Sequence, residues 1–467
     1  MSFINEVDKK ILEEFDALPF DFWDFSNSST DELIHGLHNY PAVMIYPISR
    51  NILNIVSKYK KIDCLMDPFT GSGTVIVEGQ IKNIPHVIGN DLNPLARLIT
   101  LAKVTMLNEN DFELLLNVIN KINKKLDDIK HLINKFDEEI KSNYDISEKN
   151  GWANNAEVLT NDFLKENGVE LVIDNHFKNL GFWFSPSTII PLQLIKNEIA
   201  LTNDSKINSI LNCAFSELVR YVSNTRNGEF KLYRIKKEKV ATIFYDVQKE
   251  FNRIINKNIS KMKQYTSNIE SSSVINVYSE NCQNMVSVED ESVDIVITSP
   301  PYGDSHTTVA YGQFSKLSSQ WVGLIEDENI DALLLGGKKN KTDNIKSLKS
   351  PTLELLYRQI AQVDKARADE VLSFYFDLDK SIAEISRKTK KDGYQFWVVG
   401  NRTVKKVPVQ TDVIISEMAK KYSLELLRKD YRRISNKVMP SVNSPTNVAG
   451  DTITTMVSEI ILFFKKI

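Results

Sequence analysis

The sequence has few of the residues that build disulfide frameworks or metal centres. Three cysteines (Cys64, Cys213, Cys282) and six histidines are scattered through 467 residues. The odd cysteine count excludes a disulfide framework, and no His/Cys/Asp cluster has the spacing of a metal site, so no metal is expected. No apolar run approaches the ~18 residues of a membrane span. The N-terminal stretch is acidic and amphipathic rather than basic then apolar, which argues against a signal peptide and for a cytoplasmic protein without a membrane partner. Net charge is only −3, so no global basic balance announces nucleic acid, although a basic stripe can coexist with an acidic remainder. What is present is the balance of a globular protein, 42% hydrophobic and 25% charged, at a length that suits two domains.

Along the chain, residues 1–60 read as mostly helical, with an irregular stretch from Asp24 to Pro47. Cys64–Met66 and Val87–Gly89 read as short buried strands on either side of a glycine turn and a helix, Val75–Lys82, which is the opening of a doubly wound α/β sheet. From about 105 to 273 the pattern turns helical, with Leu and Ile at spacings of three and four over Phe112–Phe136, Ile189–Leu201 and Ile243–Met262. A block that long exceeds a connection and reads as an inserted lobe. Strand-like text returns at Val274–Tyr278 and Val293–Thr298. A helix Ala366–Lys388, a strand Gln395–Val399, a helix Asp412–Tyr422 and a last strand Glu459–Phe464 follow, with Gly336–Ser350 reading as a mobile loop.

Two turns carry chemistry. Asp67-Pro-Phe-Thr-Gly-Ser-Gly-Thr74 joins a strand to a helix, where glycines let backbone approach a ligand and the helix start offers free N–H groups. It is neither a GxGxxG fingerprint nor a P-loop. Asp91 ends the next strand, where an acid hydrogen-bonds a ribose diol. The second turn, Ser299-Pro300-Pro301-Tyr302, closes the strand Asp294–Thr298. Its prolines remove two N–H donors and leave carbonyls outward. The Ser299 hydroxyl and the Pro300 carbonyl are then acceptors for an exocyclic amine, with Tyr302 stacking on its ring, an arrangement that positions the amine for in-line attack.

Together these turns resemble bacterial S-adenosylmethionine-dependent DNA amino-methyltransferases. Asp67–Thr74 resembles the family's cofactor motif, Gly89-Asn-Asp-Leu-Asn-Pro its ribose segment, and Thr298-Ser-Pro-Pro-Tyr its catalytic motif in the form more often linked to N4 of cytosine. His38-Asn-Tyr-Pro-Ala-Val-Met resembles the segment that closes over the methionine end. Val398–Lys405 and Arg432–Pro440 resemble its remaining core and target-loop segments. The resemblance implies a Rossmann-like doubly wound methyltransferase sheet. It implies that Phe69, Gly71, Gly73 and Thr74 line S-adenosylmethionine, with Asp67 at its amino group and Asp91 at the ribose. Leu92 packs on adenine and Tyr40 and Met44 close the lid. Asn281 stands where an Asp commonly reads the adenine amine; its carbonyl accepts the same hydrogen bond without adding charge.

Methylation at cytosine C5 needs a cysteine nucleophile, usually after a proline, and no cysteine here follows one. The expected reaction is therefore direct methyl transfer to N4 of cytosine in double-stranded DNA, on a base flipped against Tyr302. The setting would be restriction–modification beside a cognate restriction endonuclease. N6 of adenine, an RNA amine, and a catalytically silent recognition subunit are the alternatives. The expected organisation is 1–105 as the cofactor-closing segment and first part of the methyltransferase domain, 106–273 as a helical insertion and target-recognition lobe, and 274–467 as the catalytic part with DNA-contacting loops. Basic clusters nominate Arg226, Lys231 and Arg234 on the insertion, and Arg432, Arg433 and Lys437 near the C-terminus, as DNA contacts. A second lysine-rich cluster runs from Lys338 to Lys349. His306, just beyond the catalytic turn, is a further candidate contact to the flipped base or its neighbours; Tyr311, Phe314 and Trp321 read as core, with a wedge into the vacated base stack as the alternative for Tyr311.

Overall fold

The structure, a computed structural model, describes residues 4–26, 31–174, 177, 179–303, 310–324, 330–337, 344–434, 442–443, 453–454 and 458–467. Its centre is a seven-stranded sheet. The strands are β1 (Cys64–Asp67), β2 (His86–Asn90), β3 (Val274–Tyr278), β4 (Val293–Thr298), β5 (Thr389–Gly400), β6 (Leu424–Arg433) and β7 (Ser458–Lys466). In space they run β3-β2-β1-β4-β5-β7-β6. The first five are parallel, and β7 is antiparallel to both neighbours. This is the Rossmann-like α/β architecture expected. Chain order reverses between β1 and β4, and such switch points open a crevice at the carboxyl ends of the strands.

Side chains alternate across the sheet with the period of two that a pleated strand imposes. Leu65, Ile295, Ile297, Phe396, Val398, Ile461 and Phe463 point to one face. Met66, Val296, Trp397, Val399, Ile460, Leu462 and Phe464 point to the other. The principal helices are α1 (Glu6–Asp16), α2 (Tyr46–Val56), α3 (Thr74–Ile81), α4 (Pro94–Val104), α5 (Glu109–Asn143), α6 (Pro186–Ala200), α7 (Ser205–Tyr221), α8 (Val247–Asn268), α9 (Tyr311–Val322), α10 (Lys365–Lys388) and α11 (Thr411–Ala419). The helices of the 106–273 segment share one apolar cluster with the first face of the sheet. Helices α10 and α11 cover the second.

Helix starts follow local chemistry. Asn108 and Asp111 form a capping box at α5, and Asn93 accepts the Leu95 N–H ahead of Pro94 at α4. Helix α8 begins at Val247 rather than Ile243 because Asp246 accepts the Lys249 N–H. Within 336–350, read from sequence as a loop, Ile345–Leu348 makes a 3-10 turn that buries Leu348, while 338–343 lie outside the described residues.

The two ends of the chain are tied together. Asp8 on α1 is fully buried and accepts the Tyr394 hydroxyl at 2.6 Å and the Lys465 ammonium at 2.6 Å. Lys465 is 1% exposed and also reaches Asp392 at 2.9 Å. Phe15 stacks beside Phe396 and Phe463 at the same edge. Removing one member of a buried pair leaves the other charge without compensation. Lys465→Met is therefore expected to lower unfolding free energy by on the order of 3 kcal/mol, measured by urea denaturation; a loss below about 1 kcal/mol, the range of an exposed pair, would refute the assignment.

Candidate active site

The glycine turn is held by groups from three strands. Thr70 donates its hydroxyl to the Asp67 carbonyl at 2.7 Å and accepts the Asn90 N–H at 2.8 Å, which fastens the turn to the end of β2. Gly71 and Gly73 have φ of +51° and +81°, the left-handed region that glycine tolerates. A Cβ on Gly73 would lie 2.7 Å from the Thr100 hydroxyl, so this glycine lets α4 approach. Asp91 accepts the Gly71 N–H at 2.8 Å on one oxygen and the Asn93 N–H at 2.8 Å on the other. Asn93 donates in turn to Ser315 at 2.7 Å and Tyr40 at 3.1 Å, while Asn90 and Glu280 exchange two hydrogen bonds of 2.9 Å.

These contacts frame a cavity at the carboxyl ends of β1, β2 and β4. It brings together Tyr40, Met44, Asp67, Phe69, Gly71, Thr74, Asp91, Leu92 and Asn281 from the expected cofactor set, with Ser299 and Pro301 from the catalytic turn. Gly73, Pro300 and Tyr302 lie outside its lining. Sequence reasoning missed Ser72, whose buried hydroxyl has no hydrogen-bond partner among the described residues, and Leu333–Leu335. Tyr311, read as core or as a wedge into the base stack, instead lines the cavity and stacks on Tyr40 with ring centroids 5.9 Å apart. Phe314 and Trp321 are core. Asn281 is exposed, and its carbonyl accepts the Gln283 N–H at 2.9 Å, which takes one of its two lone pairs.

The described lining carries the carboxylates Asp67, Asp91 and Glu280 and no lysine, arginine or histidine. Such a donor set fits a cationic nucleoside and offers phosphates no countercharge. Burial pushes the Asp67 carboxyl up to about 7, against the hydrogen bonds it accepts from Thr298 and the Phe69 N–H. Burial likewise raises Asp91.

At the catalytic turn, Thr298 donates to Asp67 at 2.7 Å. Ser299 Oγ lies 3.1 Å from the Val398 carbonyl and 3.1 Å from the Tyr302 hydroxyl. Tyr302 donates to Glu459 at 2.9 Å, and Glu459 pairs with Arg432 through its other oxygen. Burial, then the Glu459 charge, holds the Tyr302 phenol well above its usual range, so it remains a neutral hydroxyl.

The basic residues nominated for DNA divide. Arg234 donates to the carbonyls of Phe182, Ser147 and Ile146 and packs over the Phe182 ring, so it clamps the lobe rather than facing a phosphate. Arg432 is 8% exposed and paired with Glu459, which corrects its expected place on the DNA surface. Arg433 is exposed and pairs with Asp24 at 2.9 Å, while exposed Arg226 reaches Glu229 at 3.2 Å. Lys231 is half-buried. His306 and Lys437 lie outside the described residues.

Residues 46–320 match the family model described as D12 class N6 adenine-specific DNA methyltransferase. The chain belongs to this family. It is also 39% identical to the Type II methyltransferase M.MvaI of Kocuria varians, over an alignment covering 100% of the chain and 99% of that protein. The family match corrects the expectation of N4-cytosine: the family is N6-adenine-specific. The expectation rested on the serine before Pro-Pro-Tyr, and the oxygen acceptors and stacking ring expected of that turn would suit an exocyclic amine on either base. Among the described residues of this DNA methyltransferase, no helix is long and apolar enough to cross a membrane.

Asp67 gives a pH test of the cavity. Its folded pKa of about 7 lies above the unfolded value, so its neutral form stabilises the fold fully below about pH 4 and that contribution is lost as pH rises through about 7. Asp67→Asn is neutral throughout. Without ligand it should therefore gain on the wild type as pH rises from about 4 to about 7, by on the order of a few kcal/mol. Parallel thermal melts read this, and identical pH slopes for the two proteins would refute it.

Proposed function

We propose that this methyltransferase transfers a methyl group from S-adenosylmethionine to N6 of adenine in double-stranded DNA. The observation that carries the reading is the single cavity shared by the Asp91 carboxylate and the Ser299 hydroxyl. The family description supports adenine as the base. The cofactor fits the residues present, because a sulfonium and an ammonium suit a cavity with three carboxylates among its lining residues, and a ribose diol suits Asp91. When bound, S-adenosylmethionine supplies an electrophilic methyl group on a sulfur that departs as a neutral thioether.

The chain's own residues then do the following. Asp91, already fixed by two N–H donors, keeps lone pairs for the ribose hydroxyls. Asp67 in its ionised form faces the ammonium end, which Tyr40 and Met44 close. Phe69, Leu92 and Leu333–Leu335 give apolar walls, and Gly73 and Thr74 set the helix start behind the ligand. Ser299 and the Pro300 carbonyl accept the hydrogens of the target amine, drawing its lone pair out of ring conjugation; Pro301 and Tyr302 hold the flipped base. Asn281 keeps an amide N–H pair and one carbonyl lone pair for the cofactor's adenine. Arg226, Lys231, His306, Arg433 and Lys437 are the proposed DNA contacts, and the 106–273 lobe the proposed target reader, between methyltransferase parts 1–105 and 274–467. The Type II name of the relative supports a restriction–modification setting with a cognate endonuclease.

Expression in a methylation-free bacterial host, followed by single-molecule sequencing of its genome, tests the reading. N6-methyladenine at one recurring motif is the expected result. N4-methylcytosine at the motif would overturn the choice of base, and transfer confined to RNA would overturn DNA as substrate. Asp91→Ala should weaken S-adenosylmethionine binding roughly 10- to 100-fold, the loss expected for charged hydrogen bonds, by calorimetric titration; unchanged affinity would remove Asp91 from the ribose.

A further inference from the structure

Methyl transfer to an amine leaves a proton that must go somewhere, and the Ser-Pro-Pro-Tyr turn contains no base. A neutral exocyclic amine that gains a methyl group becomes cationic until it sheds an N–H proton. Ser299 and Tyr302 are hydroxyls, and the two prolines carry no titratable group.

A carboxylate does lie behind the turn. Glu459 Oε1 accepts the Tyr302 hydroxyl at 2.9 Å, and Tyr302 Oη lies 3.1 Å from Ser299 Oγ. Tyr302 has one proton and directs it to Glu459, so in any hydrogen bond between Ser299 and Tyr302 the donor is Ser299, and this is the arrangement the relay uses. The Val398 carbonyl, 3.1 Å from the same hydroxyl, is the other acceptor open to that proton. Either way the lone pairs of Ser299 Oγ stay free to accept from the target amine. Glu459 and Arg432 are directly opposed on β7 and β6, and their side chains are 16% and 9% exposed, so the far oxygen of Glu459 is fixed by a largely buried pair. The register also sets Glu459 opposite Gly400, at the end of β5 that borders the turn.

We infer that Glu459 is a positioning residue for methyl transfer and the terminus of a proton relay through Tyr302 and Ser299. The inference rests on the reading of the turn as an amine site given above. The step balances as follows. The amine nitrogen uses its lone pair to bond the methyl carbon, and the carbon–sulfur pair leaves with sulfur. The nitrogen, now positive, keeps its N–H bonding pair as the proton passes to Ser299 Oγ. Ser299 gives its own proton to Tyr302 Oη, and Tyr302 gives its proton to Glu459 Oε1. The methylated amine ends neutral, both hydroxyls are restored, and Glu459 becomes a carboxylic acid that later loses the proton to solvent.

The test is single-turnover methyl transfer to a duplex bearing the methylated motif, with dissociation constants for S-adenosylmethionine and duplex measured alongside. Glu459→Gln keeps size and an acceptor oxygen but cannot take a proton. It should lower the single-turnover rate constant roughly 100-fold, the low end for general acid–base catalysis, while both dissociation constants stay within about twofold. Tyr302→Phe, which keeps the ring and the Glu459–Arg432 pair, should show the same split, and it decides the matter should Glu459→Gln fail to fold. A rate constant within about threefold of wild type in either folded variant would overturn the relay. So would weakened binding with an unchanged rate on the bound complex, the signature of a purely structural pair. Absence of transfer by the wild type to any duplex would instead refute the proposed function and is read first.

Discussion

One hydrogen bond, from the Thr298 hydroxyl to the buried Asp67 carboxylate, joins the ends of β1 and β4. Those strands flank the point where chain order reverses, so this contact sets the glycine turn and the Ser-Pro-Pro-Tyr turn against one cavity. Asp91 makes the matching link from β2, through the Gly71 N–H. Burying two carboxylates at this edge works against stability, as their raised pKa values show. Arg97 offsets part of that cost at Asp91, and a ligand carrying positive charge would offset more of it at both carboxylates.

Much of this was legible because it depends on local rules. The strands Val274–Tyr278 and Val293–Thr298 have the bounds that their apolar runs and turn residues indicated. Helix α10 begins one residue before the expected Ala366. The glycine turn, Asp91 and Ser299 were readable because chemistry restricts which residues stand at those places. Strand β6 was not readable: Leu424-Glu-Leu-Leu-Arg-Lys-Asp-Tyr-Arg-Arg carries the charges that edge strands use to refuse further pairing, and they mask its alternation. Leu333–Leu335 and Tyr311 were missed for another reason. Nothing local separates an apolar side chain in a core from one that lines a cavity.

Arginine was the least readable residue, because its charge is visible in sequence and its partner is not. Arg234 and Arg432 lie in basic stretches, yet one holds three carbonyls and the other a carboxylate. The same limit governed the base. In the proposed reading Ser299 and Pro300 specify an amine through oxygen acceptors, and both N4 of cytosine and N6 of adenine would satisfy them. Choosing between the bases needs groups that read the rest of the ring, and these do not reside in the four residues of the turn.

The placement of Glu459 shows how topology supplies what sequence proximity cannot. Parallel strands bring only their carboxyl ends to the catalytic edge, each followed by a turn. Strand β7 runs the other way, so its first residues, not its last, meet that edge, and Glu459 pairs with Gly400 on one side and Arg432 on the other. A residue far from the Ser-Pro-Pro-Tyr turn in sequence thereby stands behind Tyr302, with its cation already opposite. An antiparallel strand inserted between β5 and β6 is thus a means of delivering a side chain from within a strand, held by ladder hydrogen bonds on both sides. A loop could bring a carboxylate to the same place, but a central strand holds it there with far less freedom, which is what the proposed relay through Tyr302 and Ser299 requires.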